Sequence, residues 1–276
     1  MNKKQLLTTG LAAGIAGLLA VNASADLISG WGLDTTVQNA TLTEGVPGSF
    51  SVTTPTGNAG PRASGFSYDF STVGVSLDLS GTVALANAPG NIQFRFGLFN
   101  LNGNSPGTLS GGLWSGASTG NWLGYLASPR NVADASGAAV LWGRNGTGGN
   151  IWLSSGATYS PTGNPGETFS GTGVGNGTFN FDLTLTRLAA DQVGISWSFI
   201  ETDGTGHFSD GGSYIDTAGL SSGVASFNAV GFLLNANTGA AQFSNVQITP
   251  IPEPATCSLI GLGLLSSILA LRRRLS

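Results

Sequence analysis

A single histidine, a short run of carboxylates and a group of tryptophans are where this sequence could do chemistry. His207 sits in the turn-rich string Glu201-Thr202-Asp203-Gly204-Thr205-Gly206-His207-Phe208-Ser209-Asp210. A Ser–His–Asp relay would have to use it with some distant serine, and a lone loop histidine is the simpler reading. Zinc fares no better, because there is no second histidine and the one cysteine, Cys257, lies in the tail. Glu201, Asp203, Asp210 and Asp216 fall close together in a glycine-rich stretch, and hard oxygen donors at variable spacing can ligate Ca2+. Calcium is the one cofactor this pattern suggests; otherwise none is expected. The competing reading is a set of solvated acids on a hairpin tip. Asp34, Asp69 and Asp134 are scattered and form no cluster.

Trp114, Trp122, Tyr125, Trp142 and Trp152 crowd the middle third, with Gly and Asn around them. Open aromatic faces stack on sugar rings while amide and carboxylate groups bond the hydroxyls. Trp122 with Tyr125 and Asn121, and Trp142 with Arg144 and Asn145, are the expected glycan-binding groups. The same rings could simply fill a core. Exposure separates the two: solvent-facing indoles beside Asn or Asp favour binding, whereas buried ones favour a structural role. Trp197 alternates with the apolar face of its segment and belongs to the core.

The charges narrow the partners. Between residues 26 and 251 there is no lysine, and five arginines face thirteen carboxylates, a formal charge of −8. Nucleic acid is excluded as a partner, since phosphates must be neutralised by Lys and Arg, and docking on anionic lipid is disfavoured as well.

Period-2 alternation sets the elements that must position these residues. Phe179, Phe181, Leu183 and Leu185 alternate with polar residues, and after a short turn Val193, Ile195, Trp197 and Phe199 do the same. This predicts an antiparallel hairpin with one face buried and one wet. Further strands are expected at 64–70, 73–79, 92–98, 122–127, 138–144, 150–153, 227–234 and 241–249. A brief helical turn is expected near 131–139, and residues 161–178, with six glycines, read as a long loop. The fold class is all-β, an antiparallel β-sandwich of jelly-roll type rather than a propeller or solenoid, because no repeat of fixed period occurs.

Both ends read as processing segments. Lys3 and Lys4 precede an apolar run from Leu6 to Val21, and Ala23-Ser24-Ala25 supplies the small residues a signal peptidase reads. Residues 1–25 are thus expected to form a signal helix, cut before Asp26, and 26–251 to be the exported domain. The tail, 252–276, opens with Pro252-Glu253-Pro254, continues through a charge-free run from Ala255 to Leu271, and ends on Arg272-Arg273-Arg274. Seventeen residues at about 1.5 Å each span roughly 26 Å, within the range of a transmembrane helix. The arginines should stay cytoplasmic, which places the body outside. Cys257 reads as a small apolar residue of that helix. Three residues, Thr249 to Ile251, separate the last expected strand from Pro252, so the domain must sit close to the membrane while the tail is uncut.

The tail resembles the PEP-CTERM signal of bacterial exported proteins. That resemblance implies recognition by a membrane-embedded exosortase and a final location at the cell surface or in an exopolysaccharide-rich matrix. The body resembles concanavalin A-like, laminin-G-like jelly rolls through Phe94-Arg95-Phe96-Gly97-Leu98-Phe99, Trp122-Leu123-Gly124-Tyr125, the hairpin, and a closing Phe243-Ser244-Asn245-Val246-Gln247-Ile248. That likeness implies a fold often used for glycan binding. Laminarinase-like members of the superfamily carry three spaced acids on one strand. Glu201-Thr202-Asp203 matches only the first half of that pattern, so the carry-over fails and no enzyme is expected. The expected function is an exported, non-catalytic, lectin-like protein associated with exopolysaccharide. The alternative is a structural, self-associating matrix protein.

Overall fold

A computed structural model describes residues 24–34, 40–54, 58–86, 94–116, 121–129, 140–145, 159–163, 174–203, 208–217, 224–234 and 239–251. The strands in chain order are β1 (Asp26–Leu27), β2 (Gly32–Asp34), β3 (Thr41–Glu44), β4 (Phe50–Thr54), β5 (Pro61–Asp69), β6 (Ser76–Ala86), β7 (Phe94–Asn100), β8 (Thr108–Ser110) and β9 (Leu113–Ser115). They continue as β10 (Leu123–Ser128), β11 (Val140–Asn145), β12 (Tyr159–Gly163), β13 (Gly177–Ala189), β14 (Gln192–Glu201), β15 (Ser209–Asp216), β16 (Ser226–Leu234) and β17 (Gly239–Ile251). No helix occurs among the described residues. The signal helix, the tail helix, the turn at 131–139 and the strand expected at 150–153 lie outside them.

These strands form two sheets. The first runs β15-β14-β13-β6-β17-β4-β3, with β1 beside β17, and the second β12-β11-β10-β7-β16-β5-β2-β9-β8. Consecutive strands repeatedly cross between them: β4 to β5, β6 to β7 and β16 to β17 each leave one sheet and enter the other. That wrapping is the jelly-roll arrangement. The pairs are antiparallel except β2 with β9.

The 178–200 hairpin forms as expected, with Phe181 opposite Phe199 and Leu183 opposite Trp197. Alternation fails in the closing strand at Phe243-Ser244-Asn245-Val246. A register shift between Ser244 and Gln247 resolves it, with Asn245 at φ 53°. The extra residue restores Val246 and Ile248 to the interior beside Phe243. Several segments depart from expectation: β3, β4, β8 and β9 form where no strand was expected, β12 runs into the stretch expected to be the 161–178 loop, and 209–216, read as part of a glycine-rich loop, is strand β15 at the edge of the first sheet. Gly211 sits where a side chain has no room, since a Cβ there would meet the carbonyl oxygen of Trp197.

Aromatics fill the space between the sheets. Trp31 stacks on Phe50 at 4.2 Å, Phe50 on Phe243 at 4.2 Å, and Phe179 on Phe199 at 4.8 Å. Each such pair adds about 0.5–1.5 kcal/mol beyond the area it buries. A second, smaller cluster lies on the outer face of the second sheet, where Phe99, Trp122, Leu126, Ala229 and Leu233 are all buried.

Candidate functional site

The outer face of the second sheet holds the densest chemistry among the described residues. Along one rung of that sheet stand Gly32, Arg62, Gly231, Gly97, Leu126 and Trp142, neighbour paired with neighbour. Two glycines in the middle leave floor space across which long side chains can lie. A Cβ on Gly97 would meet the carbonyl oxygen of Tyr125, so that position tolerates no side chain.

Arg62 is fully buried, and so is Trp122, while Asp34 keeps 2 % and Trp114 7 % of its exposure. The Arg62 guanidinium carbon lies 4.9 Å from the Trp114 ring centre and 5.2 Å from that of Trp122. Its Nε is 3.4 Å from Asp34 Oδ2, and its Nη1 donates to the Pro106 carbonyl at 2.9 Å. Trp114 Nε1 donates to the Arg62 carbonyl at 3.0 Å, which fixes that ring. Burial pulls the Arg62 pKa down to about 10, opposed by the Asp34 charge, so the guanidinium remains protonated at neutral pH. Two cation–π contacts and one carboxylate hold the charge. Arg62 Nη2 and Trp122 Nε1 remain buried without a hydrogen-bond acceptor.

Arg187 is a useful contrast. It is also buried, yet it donates to the carbonyls of Phe70, Ala190 and Val224 and lies over the Phe70 ring. That pattern is a staple for the end of the sandwich. Arg144 Nε likewise donates to the Trp122 carbonyl at 2.9 Å.

The residues singled out from sequence separate sharply. Trp122 and Tyr125 are fully buried, so neither offers a face to a sugar ring; burial overturns that expectation for the pair. Tyr125 points into the sandwich, where its hydroxyl donates to Asp216 Oδ2 at 2.8 Å, and burial next to that carboxylate pushes its pKa up. Trp142 is half-buried beside the outer cluster. The side chain of Asn145, together with Trp152 and His207, lies outside the described residues.

The expected calcium group does not assemble either. Asp210 and Asp216 stand at opposite ends of β15, about 20 Å apart for six residues of strand. Asp210 accepts from the Gly211 amide and Asp216 from Tyr125. Glu201 Oε2 accepts from the Phe208 amide and Asp203 Oδ2 from the Thr178 amide, both at 2.8 Å. These carboxylates close strands and turns. Among the described residues no three His, Cys, Asp or Glu side chains are grouped to hold a metal.

Asp34 and Arg62 were not legible as a pair, because 28 residues separate them and only the β2–β5 pairing brings them together. The scarcity of cations, five arginines in a lysine-free body, was the one available hint. No G-x-S-x-G elbow was expected between 26 and 251, yet Gly116-Ala117-Ser118-Thr119-Gly120 and Gly219-Leu220-Ser221-Ser222-Gly223 both have that form. Residues 117–120 and 219–223 lie outside the described structure. The first string follows β9, which pairs between β2 and β8, and β10 begins at Leu123, three residues after it.

β17 runs without interruption to Ile251, and the residues that follow carry the address. Residues 250–274 match the family model described as the PEP-CTERM protein-sorting motif. The protein carries a PEP-CTERM sorting tail. Such a tail marks an exported protein that is anchored in a membrane and then processed. Ala25 is exposed just ahead of β1, while Ala23 and the PEP-CTERM residues Pro252, Glu253, Pro254, Arg272, Arg273 and Arg274 lie outside the described residues. No helix among the described residues is long and apolar enough to cross a membrane.

No curated protein matches the chain. Among solved structures it is similar to the Emp46p carbohydrate recognition domain in its potassium-bound form, at 15 % identity and a TM-score of 0.41, covering 80 % of this chain and 87 % of that one. It is also similar to a legume lectin-like domain from Entamoeba histolytica, at 9 % identity and a TM-score of 0.38, covering 77 % and 89 %. A PL-14 alginate lyase from Aplysia kurodai aligns at 12 % identity and a TM-score of 0.42, covering 80 % and 91 %. Function lives in sites grafted on folds, and the site of this chain is its own.

Proposed function

We propose that this is a non-catalytic structural component of the bacterial cell surface or extracellular matrix. Residues 1–25 are its signal peptide, 26–251 its exported sandwich and 252–276 its exosortase-processed tail. The observation that carries this reading is the placement of the tryptophans. Trp31, Trp114, Trp122 and Trp197 are all buried, and half-buried Trp142 is the most open indole described. The exposure criterion therefore favours a scaffold over an aromatic glycan platform. Signal peptidase and exosortase are its partners during export, and the membrane holds it until the tail is cut.

The second reading is association with exopolysaccharide, and one observation favours it. Arg62 Nη2 and Trp122 Nε1 are buried donors without acceptors, and buried donors are otherwise almost always paired. Both atoms are closed to solvent, so a ligand rich in hydroxyl or carboxylate oxygens would satisfy them, by hydrogen bonding rather than by ring stacking, only once the cover over the Arg62 centre opens.

Sedimentation of residues 26–251 over a concentration series, alone and with exopolysaccharide from the producing organism, separates the two. The structural reading expects concentration-dependent assembly that ignores the polysaccharide and calcium. Saturable co-sedimentation, weakened by Trp122→Phe, which keeps the ring and removes the N–H, would replace it with the glycan reading. A monomer that binds nothing would refute both.

A further inference from the structure

We infer that one edge of the sandwich beds against the lipid surface while the tail is uncut, and that its contact residues are Val73, Leu188, Ile215 and Ile251. The inference rests on the tail being a membrane anchor, and adds which face of the domain meets the bilayer.

A single rung of the first sheet carries the argument. Ile251, the last described residue, is opposite Ser76; Ser76 is opposite Thr186, Thr186 opposite Gly194, and Gly194 opposite Ile215. Leu77, Leu185 and Ile195, the next residues along β6, β13 and β14, point into the core, so this rung belongs to the outer face. At its two ends Ile251 keeps 41 % and Ile215 52 % of their exposure. Leu188 folds back over Gly194, whose missing side chain leaves it room. Val73 sits in the turn tied to the same place by the Gly74 amide donating to the Arg187 carbonyl and the Arg187 amide donating to that of Val75. Leu188 and Val73 are 42 % and 49 % exposed. A groove of about 630 Å³ on the same corner is lined by Leu188, Gly194, Tyr214 and Ile215.

The occupant follows from where the chain goes next. Only Pro252, Glu253 and Pro254 separate this rung from the apolar run that starts at Ala255. From Ile251 to Ala255 the chain takes four steps and reaches at most about 14 Å, so this edge stays within that distance of the apolar run. The nearby charges are Asp191 in the adjoining turn, the Asp78 and Asp182 carboxyls further up the face, and buried Arg187 and Asp216. No exposed cation is among them. Contact is therefore apolar; it should be unaffected by salt on a zwitterionic bilayer, and anionic lipid should weaken rather than strengthen it.

The test uses the full uncut chain in phosphatidylcholine vesicles containing a lipid-attached quencher. With Cys257→Ser as background, an environment-sensitive dye is placed at Ile215→Cys, Leu188→Cys or Val73→Cys. Ile200→Cys, exposed toward the other end of the first sheet, and Leu113→Cys on the second sheet serve as controls. Quenching several-fold stronger at 215, 188 and 73 than at 200 and 113, and unchanged in 0.5 M salt on the order of a strongly screened medium, is the expected result. Equal quenching at all five positions overturns the inference. Labelling native Cys257 in the unmodified chain keeps the two failures apart. A quenched Cys257 with an unquenched Ile215 site overturns the membrane-facing edge alone. An unquenched Cys257 overturns the anchor, and this inference with it.

Discussion

Replacing Asp34 with asparagine strips the counter-charge from a guanidinium that has no contact with solvent. Arg62 Nε lies 3.4 Å from Asp34 Oδ2, and both side chains are almost entirely buried. At an effective dielectric of about 20 that separation corresponds to about 5 kcal/mol of attraction. Breaking buried pairs from one side costs about 3–5 kcal/mol. The cation–π contacts with Trp114 and Trp122 survive the change and hold part of the charge, which sets the expectation near 3 kcal/mol. For a domain of this size each kcal/mol is worth about 2–4 °C, so Asp34→Asn should lower the melting temperature by roughly 6–12 °C. Denaturant unfolding followed by tryptophan fluorescence reads it directly, since Trp114 and Trp122 flank the pair. Arg62→Met in the same background should recover most of the loss, because a double replacement leaves no orphan charge. A loss under about 1 kcal/mol in Asp34→Asn would refute the reasoning, since such small values belong to solvated pairs. The Arg62 centre would then be open to water.

Three further outcomes follow from particular contacts. Tyr125→Phe removes the bond from the second sheet to Asp216 on the first and should cost about 1–3 kcal/mol, measured as a shift in urea midpoint at constant slope; no shift would mean that Asp216 holds its place without the hydroxyl. Gly124→Ala should leave little folded protein, because its φ of 150° and the Leu98 carbonyl oxygen leave no place for a Cβ; a circular-dichroism melt matching the parent would disprove the close approach. Asp182 is half-buried, and its carboxyl is pushed up to about 7, first by burial and then by its hydrogen bond and charge repulsion with Asp78. Its folded form keeps a proton the unfolded chain releases, so its contribution to stability is complete below about pH 4 and is lost as pH rises through 7. Discounted for solvent screening the loss is about 1–2 kcal/mol. Asp182→Asn should remove that part of the decline between pH 5 and 8, and an unchanged profile would mean that Asp182 ionises normally.

Much of the fold was legible because it is written in alternation. Phe179 to Leu185 and Val193 to Phe199 announce a hairpin whatever surrounds them, and period 2 with a wet outer face admits few architectures. β15 was misread because Asp210, Gly211 and Gly212 are residues that favour turns; their strand conformation comes from pairing with β14, a tertiary override of local preference. The address was readable for a different reason. A sorting tail acts through composition and order along the chain, which the sequence states outright.

The tryptophans mark where local reading stops. Trp122 beside Asn121 and Tyr125 looks the same in one dimension whether it faces water or a core, and burial depends on what crosses over it from elsewhere in the chain. Likewise Asp34 and Arg62 become a charge pair only when β2 pairs with β5, and Asp210 and Asp216 are pulled to opposite ends of a strand by the same kind of pairing. Sequence alone determined the secondary-structure period, the sandwich class and the PEP-CTERM destination, all of which depend on residues near one another in the chain. Tertiary structure decided which carboxylates meet which arginines and which indoles see solvent, because those contacts are made between strands that sequence distance does not relate.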